Sequence, residues 1–449
     1  MSEIDRTQKT LFQLSWPLLL TALSGMIVML VDTMIISSYS ETAAASVSLA
    51  NQILLVAFDL SAFFAAGSVV MISRKLGSKE PKEAERFAEA SFVGNALLGF
   101  LLGVIIMAGA PWWVAALNCP DETVVGAEIY LRVGGFTIIF NGMMMAGTAM
   151  LRGYGETRIM LVLGITAQVA YLILAYVLIL GMGPIPSLGV LGSSLATFII
   201  RVAAVIALLI VLAKRLSFFP TFWKRTYPDF LARAKPMFQL GWPLALDNLA
   251  YGFYQMLLVS FIAGMGVTMV LSRSFTWALS TVLTVLLMSL SQANEVMIGY
   301  RYGAKKWDEL TRCMWKSSVV AIIVTTLGAI ILASFAKPLL GLFTKDPKII
   351  QMGQKLLWIT VFAQPFSAVN TVLYFSSKTI GDVLVPVAGT QIMMWCISVP
   401  IAYLFAVTWG LGVIGLWYVL LMEEALKAVF LSIRWWMYYE RRKHLLELN

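Results

Sequence analysis

Residues 12–18 read Phe-Gln-Leu-Ser-Trp-Pro-Leu, and residues 238–244 read Phe-Gln-Leu-Gly-Trp-Pro-Leu, 226 positions later. The register holds along the chain. Val70, Met71, Ile72 and Gly77 return as Val296, Met297, Ile298 and Gly303. Glu83 and Arg86 return as Glu309 and Arg312, and Gly155-Glu156 returns as Gly381-Asp382. Late in each half the offset slips to 223, between Leu188-Gly189-Val190-Leu191-Gly192 and Leu411-Gly412-Val413-Ile414-Gly415. The chain is therefore a duplication, and its two halves must share one fold. Internal repeats of this size mark secondary transporters, in which two similar bundles move around a central site.

The repeated unit consists of runs long enough to cross a bilayer. The chain is 59% hydrophobic and only 13% charged, with mean hydropathy +0.83, outside the balance of a soluble protein. A bilayer core takes about 20 apolar residues per helix, and the pattern predicts about twelve such helices, six per half. They fall near 11–37, 45–73, 88–110, 122–148, 157–181, 188–213, 237–263, 266–299, 312–335, 349–376, 383–407 and 410–437. A β-barrel is excluded, because the runs are too long and do not alternate. The expected fold is all-α: a polytopic membrane protein of two six-helix bundles. Its parts are an N-terminal lobe over 1–213, a cytoplasmic linker over 214–236, a C-terminal lobe over 237–437 and a cytoplasmic tail over 438–449. An even number of spans per half makes both halves enter the membrane in the same direction.

Lys and Arg set the orientation. Arg74, Lys75, Lys79, Lys82 and Arg86 follow the second run, and Arg152 and Arg158 the fourth. Lys214, Arg215, Lys224, Arg225, Arg233 and Lys235 fill the linker, and Arg301, Lys305, Lys306 and Arg312 follow the eighth run. The opposite loops near 38–44, 181–187, 264–268 and 408–410 carry none; Lys337, Lys345 and Lys348 are the exception. Both termini are expected in the cytoplasm, in a plasma membrane of bacterial inner-membrane type. The net charge of +9 suits short loops facing anionic lipid and offers no basic domain for a nucleic acid. Trp112, Trp113, Trp223, Trp435 and Trp436 cluster at span ends, as interfacial anchors do. Ten polar residues lead straight into the first span, so no cleaved signal peptide is expected.

Enzyme chemistry finds little footing. The one histidine, His444, lies in a charged tail, and neither GxxxxGK[ST] nor HExxH occurs. Cys119, Cys313 and Cys396 are odd in number and scattered, which implies no disulfide framework and no metal-thiolate site. No cofactor is expected. A transporter without an ATP site runs on an ion gradient or passively.

The informative residues are the charges inside apolar runs, each costing at least a few kcal/mol at the bilayer centre. At 1.5 Å per residue, Asp59 and Asp247 lie about 15–20 Å along their helices. Asp32 falls in the outer half, and Glu295, Glu424 and Arg201 closer to the cytoplasmic side. Glu423 and Lys427 are four apart and suited to neutralise one another. Asp247, Tyr251, Tyr254 and Gln255 share one helical face, where a carboxylate and two rings suit an amphipathic cation. The same face also suits plain helix packing. Ser367, Thr371 and Tyr374, with Asn370 alongside, form a second polar stripe, for which packing is the simpler account. Asp32 has no basic residue within reach on its own helix, with Gly25 and Thr21 below it on the same face. Such a carboxylate suits proton uptake near neutrality; capping by a neighbouring helix is the alternative. Asp59 shares a face with Asn51 and Leu55 and is a candidate for the same network. The candidates for cation coupling are Asp32, Asp59 and Asp247. Those for a substrate cavity are Asp247, Tyr251, Tyr254, Gln255, Asn51, Asn141, Ser367 and Asn370. No metal site is expected beyond a Na+ position near Asp247 or Asp32.

Trp16-Pro17 leading to Asp32-Thr33, Gly77-Ser78 with Glu83 and Arg86, and Tyr130-Leu131-Arg132 come in order along the first half. Leu151-Arg152-Gly153-Tyr154-Gly155-Glu156-Thr157-Arg158 follows, then Gly241-Trp242-Pro243, Gly303-Ala304 and Gly412-Val413-Ile414-Gly415-Leu416-Trp417. Over nearly its whole length the chain resembles the multidrug and toxic compound extrusion (MATE) transporters. The resemblance implies two six-helix bundles around a V-shaped cavity, and antiport of organic cations against H+ or Na+. Asp32 matches the helix 1 aspartate that such proteins use for coupling. On helix 5, where the family often carries Asn and Asp, this chain has Tyr171 and Ala175. The helix 7 and helix 10 carboxylates of one branch fall at Tyr251 and near Ser367, with Asp247 one turn from the former. The expected partners are lipophilic organic cations and membrane lipid, with the chain acting as a monomer. The alternatives are a flippase for lipid-linked oligosaccharides of the same superfamily, which would present Arg or Lys to a pyrophosphate, and a passive channel or receptor.

Overall fold

The computed structural model describes residues 9–117, 119–182, 186–216 and 222–447, with only the backbone described at 215–216, 222–229 and 440–447. Twelve long helices run through them. They are α1 Leu11–Tyr39, α2 Glu41–Gly77, α3 Pro81–Ala108, α4 Asp121–Gly153, α5 Thr157–Leu180 and α6 Gly189–Leu216, then α7 Phe222–Ala263, α8 Val267–Gly303, α9 Trp307–Ser334, α10 Pro347–Thr379, α11 Leu384–Thr408 and α12 Gly412–Glu447. Ten are long and apolar enough to cross a membrane. The two that fall short are α7, with Asp247, Asn248 and Gln255, and α12, with Glu423, Glu424 and Lys427. α7 begins at Phe222 and α12 runs to Glu447, within the stretches assigned from sequence to linker and tail.

The chain divides into two compact units, one holding Trp16–Ala245 with Lys9 and the other Leu246–Asn449 with Thr10–Ser15. In the first, one core gathers Leu54, Leu131, Ile138 and Ile179, and another gathers Ile72, Phe87, Met150 and Leu208. In the second, Leu258, Leu356, Met394 and Trp417 form one core, with a smaller one around Leu283, Leu340 and Leu357. Val319, Ile323, Leu327 and Ile331 stand four apart on α9 and are all exposed. An apolar stripe turned outward is what a helix presents to lipid, where its backbone satisfies itself.

Repeated sequence makes repeated turns. After α2, Lys79 takes a left-handed φ of 62°, and after α8 its equivalent Lys305 takes 56°. Glu80 N–H closes on Lys75 C=O at 2.8 Å, and Lys306 N–H on Arg301 C=O at 3.0 Å. Gly155 (φ 71°) and Gly381 (φ 87°) turn the chain in the same way after α4 and α10. These are the six-to-one bonds that satisfy orphan carbonyls at a helix end.

Two features shape the ground around the sites. α2 breaks at Ala62, and the freed backbone is met from α3 and α4. Asn95 Oδ1 accepts Phe64 N–H at 3.1 Å, while Asn141 Nδ2 donates to Ser61 Oγ at 2.8 Å and Phe58 C=O at 3.3 Å. In α11, Pro400 lies between the π-helical turns Met393–Ser398 and Leu404–Thr408, since a proline removes one ladder bond and widens its surroundings. α3 and α4 approach closely through glycines, as bilayer helices do: a Cβ on Gly103 would stand 2.4 Å from Gly135 C=O.

Candidate functional site

Within the first unit, five helices enclose a cavity of about 480 Å³. α1 contributes Thr21, Gly25, Val28, Met29 and Asp32, which recur at helical spacing and so form one stripe. α5 faces it with Met160, Gly164, Gln168 and Tyr171 in the same rhythm. Asn51 and Phe58 come from α2, Tyr130, Thr137 and Met144 from α4, and Thr197 and Arg201 from α6. The two facing glycines open the space: a Cβ on Gly164 would stand 3.0 Å from Thr21 Cγ2.

Asp32 accepts a hydrogen bond from the Tyr171 hydroxyl at 2.7 Å on Oδ1. Gln168 Nε2 donates weakly to Thr21 C=O at 3.4 Å, and its Oε1 is buried without a partner. Tyr130 and Tyr171 lie within electrostatic range of Asp32 and of each other. Arg201 lies twelve residues into α6, about 18 Å along it and so mid-span rather than near an end. Its guanidinium stands 5.6 Å from the Phe58 ring centroid. The cavity thus contains one carboxylate, one guanidinium and three rings in a mostly apolar wall.

In the second unit the polar residues bond to one another. Asp247 accepts from Tyr374 OH at 2.8 Å and from Gln391 Nε2 at 2.6 Å. Tyr254 OH donates to Glu423, whose other oxygen pairs with Lys427. Asn370 Nδ2 donates to Glu424 at 2.9 Å, and Ser367 also interacts with Glu424. Arg273 donates to Gln255 Oε1 at 2.8 Å, and Gln255 Nε2 to Tyr251 OH at 2.7 Å. A second buried pair, Lys378 with Glu295 at 2.6 Å, lies elsewhere in this unit.

The sequence candidates divide accordingly. Asp32 and Asn51 share the first-unit cavity. Asp59 does not join them: it is exposed together with Leu55, four positions away, while Asn51 and Phe58 turn to the cavity. Eight positions from Asn51 is about 80° round the helix, enough to carry Asp59 off that face. Asn141 is buried and committed to the α2 break. Asp247, Tyr251, Gln255, Ser367 and Asn370 all belong to the second-unit network. Tyr254 lies beside Tyr251, ring centroids 6.3 Å apart, but turns into the core at 1% exposure, so its ring is not an open cation platform. Sequence reasoning missed three participants. Tyr171 enters the sequence reading only where the family often carries Asn, Arg201 only as a charge toward the cytoplasmic side, and Gln391 not at all. The spacing of Gly164, Gln168 and Tyr171 was the available signal for the first. Among the described residues no group of three or more His, Cys, Asp or Glu could hold a metal ion.

The family model MatE matches residues 17–177 and 243–404, one match in each half. The chain belongs to the MATE family of transporters. It is 29% identical over 427 residues to the uncharacterized transporter YisQ of Bacillus subtilis, covering 95% of this chain and 93% of that one. It is 25% identical over 448 residues to the probable multidrug resistance protein NorM of Thermotoga maritima, covering 96% and 94%. Its fold is also that of the Vibrio cholerae MATE transporter VcmN in the bent form, with TM-score 0.86 at 18% identity over 98% of both chains. The MOP superfamily transporter of Pyrococcus furiosus gives TM-score 0.85 at 19% identity over 99% of both. The two-half duplicated fold expected from sequence is the fold observed. With multidrug resistance proteins among its relatives, the lipid-linked oligosaccharide flippase is not favoured.

Proposed function

We propose that this MATE transporter exports lipophilic organic cations from the cytoplasm in exchange for H+ or Na+, with Asp32 as the coupling carboxylate. The observation that carries the reading is the placement of Asp32 in a drug-sized cavity with, among the described residues, a single hydrogen-bond donor, the Tyr171 hydroxyl. Oδ2 is left to take a proton, to join a Na+ or to face an organic cation. Coupling ion and substrate then compete for one carboxylate, and that competition yields exchange when the empty carrier does not switch access. Ion binding must favour one access state over the other, since a ligand shifts an equilibrium only by its differential affinity. The cavity volume lies in the range of small-molecule sites, and its methionines adapt to varied shapes. The Lys and Arg distribution supports termini in the cytoplasm, and multidrug resistance relatives in bacteria support an inner-membrane location.

The test uses purified protein in liposomes under an imposed ΔpH or Na+ gradient, following a fluorescent lipophilic cation. Transport is expected to follow one of the two gradients. Asp32→Asn should lower it by about 100-fold, the scale of losing an intramembrane charge worth a few kcal/mol, while leaving the thermal unfolding profile unchanged. Full gradient-driven export by Asp32→Asn would sink the coupling role.

A further inference from the structure

Antiport at Asp32 leaves a second charge in the same cavity without a role. Arg201 lines that cavity, and its guanidinium lies over the face of Phe58, 5.6 Å from the ring centroid. Among the described residues no carboxylate pairs with its guanidinium and no acceptor lies within hydrogen-bonding distance. Tyr130 and Tyr171 lie within electrostatic range of both Arg201 and Asp32. Two fixed charges of opposite sign therefore face one space, and neither neutralises the other.

An unpaired guanidinium inside a membrane is costly, and such groups belong to ligand or ion pathways. Its planar fork matches a carboxylate through two parallel bonds. The duplication sharpens the point. The position equivalent to Arg201, 223 residues on, is Glu424, and that charge is bound by Asn370. The second unit supplies its own partner at this position, and the first leaves the place open.

We propose that this cavity selects amphipathic zwitterions: molecules with an aromatic body, a carboxylate for Arg201 and a cationic group for Asp32. The proposal rests on the reading of this cavity as the substrate site. A zwitterion neutralises both fixed charges at once. A simple monocation neutralises Asp32 alone and shares the cavity with a bare guanidinium that repels it. Met29, Met144 and Met160 in the wall accommodate the apolar body without demanding one shape.

Rhodamine B, whose delocalised cation and carboxylate make a zwitterion, and rhodamine B ethyl ester, a monocation, form a matched pair of fluorescent probes. Binding to the full-length protein in nanodiscs is read by fluorescence anisotropy. The wild type is expected to bind the zwitterion about tenfold or more tightly than the ester, the scale of leaving a buried charge unpaired. Arg201→Gln should bring the two affinities to within about twofold by weakening the zwitterion, and Arg201→Lys should keep part of the preference. Equal affinities in the wild type, no binding of either dye, or equal weakening of both dyes by Arg201→Gln would overturn the proposal. A preference that persists in a protein showing no gradient-driven export counts against antiport and leaves the selectivity standing. Export of the ester without preference for the zwitterion does the reverse.

Discussion

The two units come from one repeated pattern, yet equivalent positions do opposite things in them. Thr21, Gly25, Val28 and Met29 line the first-unit cavity; their counterparts 226 residues on are Asp247, Tyr251, Tyr254 and Gln255. Ile200, Arg201 and Ala204 correspond, at the later offset of 223, to Glu423, Glu424 and Lys427. In one unit small and apolar residues leave space around two separated charges. In the other, long polar side chains bond to each other: Tyr374 and Gln391 on Asp247, Tyr254 and Lys427 on Glu423, Asn370 on Glu424. Asp32 itself is matched by Leu258, buried in a core. A shared backbone therefore supports either a receptive cavity or a closed polar network, and side-chain volume and pairing decide which.

The comparison breaks most directly at its charges. Lys427 and Glu423 are each more than nine-tenths buried and bonded to one another. Lys427→Met strands the carboxylate, and breaking a buried pair in this way costs about 3–5 kcal/mol. A large fall in thermal stability is expected, partly restored when Glu423→Gln is added. Arg201→Met in the first unit removes a costly charge that has no ionic partner among the described residues, so stability should hold or rise rather than fall. Equal destabilisation by the two substitutions would show that both units are built as structural networks. Thermal unfolding of purified protein, with a double-mutant cycle for the pair, reads both arms.

Much of this division was legible in the residues, and the rest depended on helix rotation. Ten of the twelve long helices follow from run length and hydropathy, because a bilayer enforces helix and length together. The turns at Lys79 and Lys305 follow from the repeat. The pairing of Glu423 with Lys427 follows from their spacing on one helix. What spacing does not settle is which helix each face meets. Tyr254 shares a face with Asp247 on α7, yet it packs against Glu423 of α12. The break in α2 is held by Asn95 and Asn141 from two other helices, so the local sequence around Ala62 is uninformative. Arg201 shows a third limit: depth along a span says nothing about what the side chain faces.

A milder perturbation sharpens the first-unit side. Tyr171→Phe keeps the ring and removes the hydroxyl that is bonded to Asp32. A hydrogen bond to a charged group contributes about 1.5–3 kcal/mol, so coupling-ion affinity should change by roughly tenfold or more. Gln391→Leu in the second unit has no such parallel, since Asp247 retains its bond from Tyr374. Ion-dependent initial rates of export across a series of proton or Na+ concentrations give the affinity. An unchanged profile in Tyr171→Phe would mean that the phenol only packs, and that Asp32 is positioned by its own helix.

The smallest effect is expected where a carboxylate belongs to neither arrangement. Asp59 is exposed, stands outside the first-unit cavity and precedes the break at Ala62 by three residues. Its backbone carbonyl accepts the Ala62 N–H at 3.2 Å, a bond that Asp59→Asn preserves. Export rate and coupling-ion affinity in Asp59→Asn should therefore stay within about twofold of the wild type, a surface-like change of roughly 0.5 kcal/mol or less. If Asp59→Asn instead matches the loss expected of Asp32→Asn, a carboxylate outside the first-unit cavity takes part in transport. The working carboxylates of the first unit would then number two, and the contrast with the second unit would lie in how its acids are bonded rather than in where its space is.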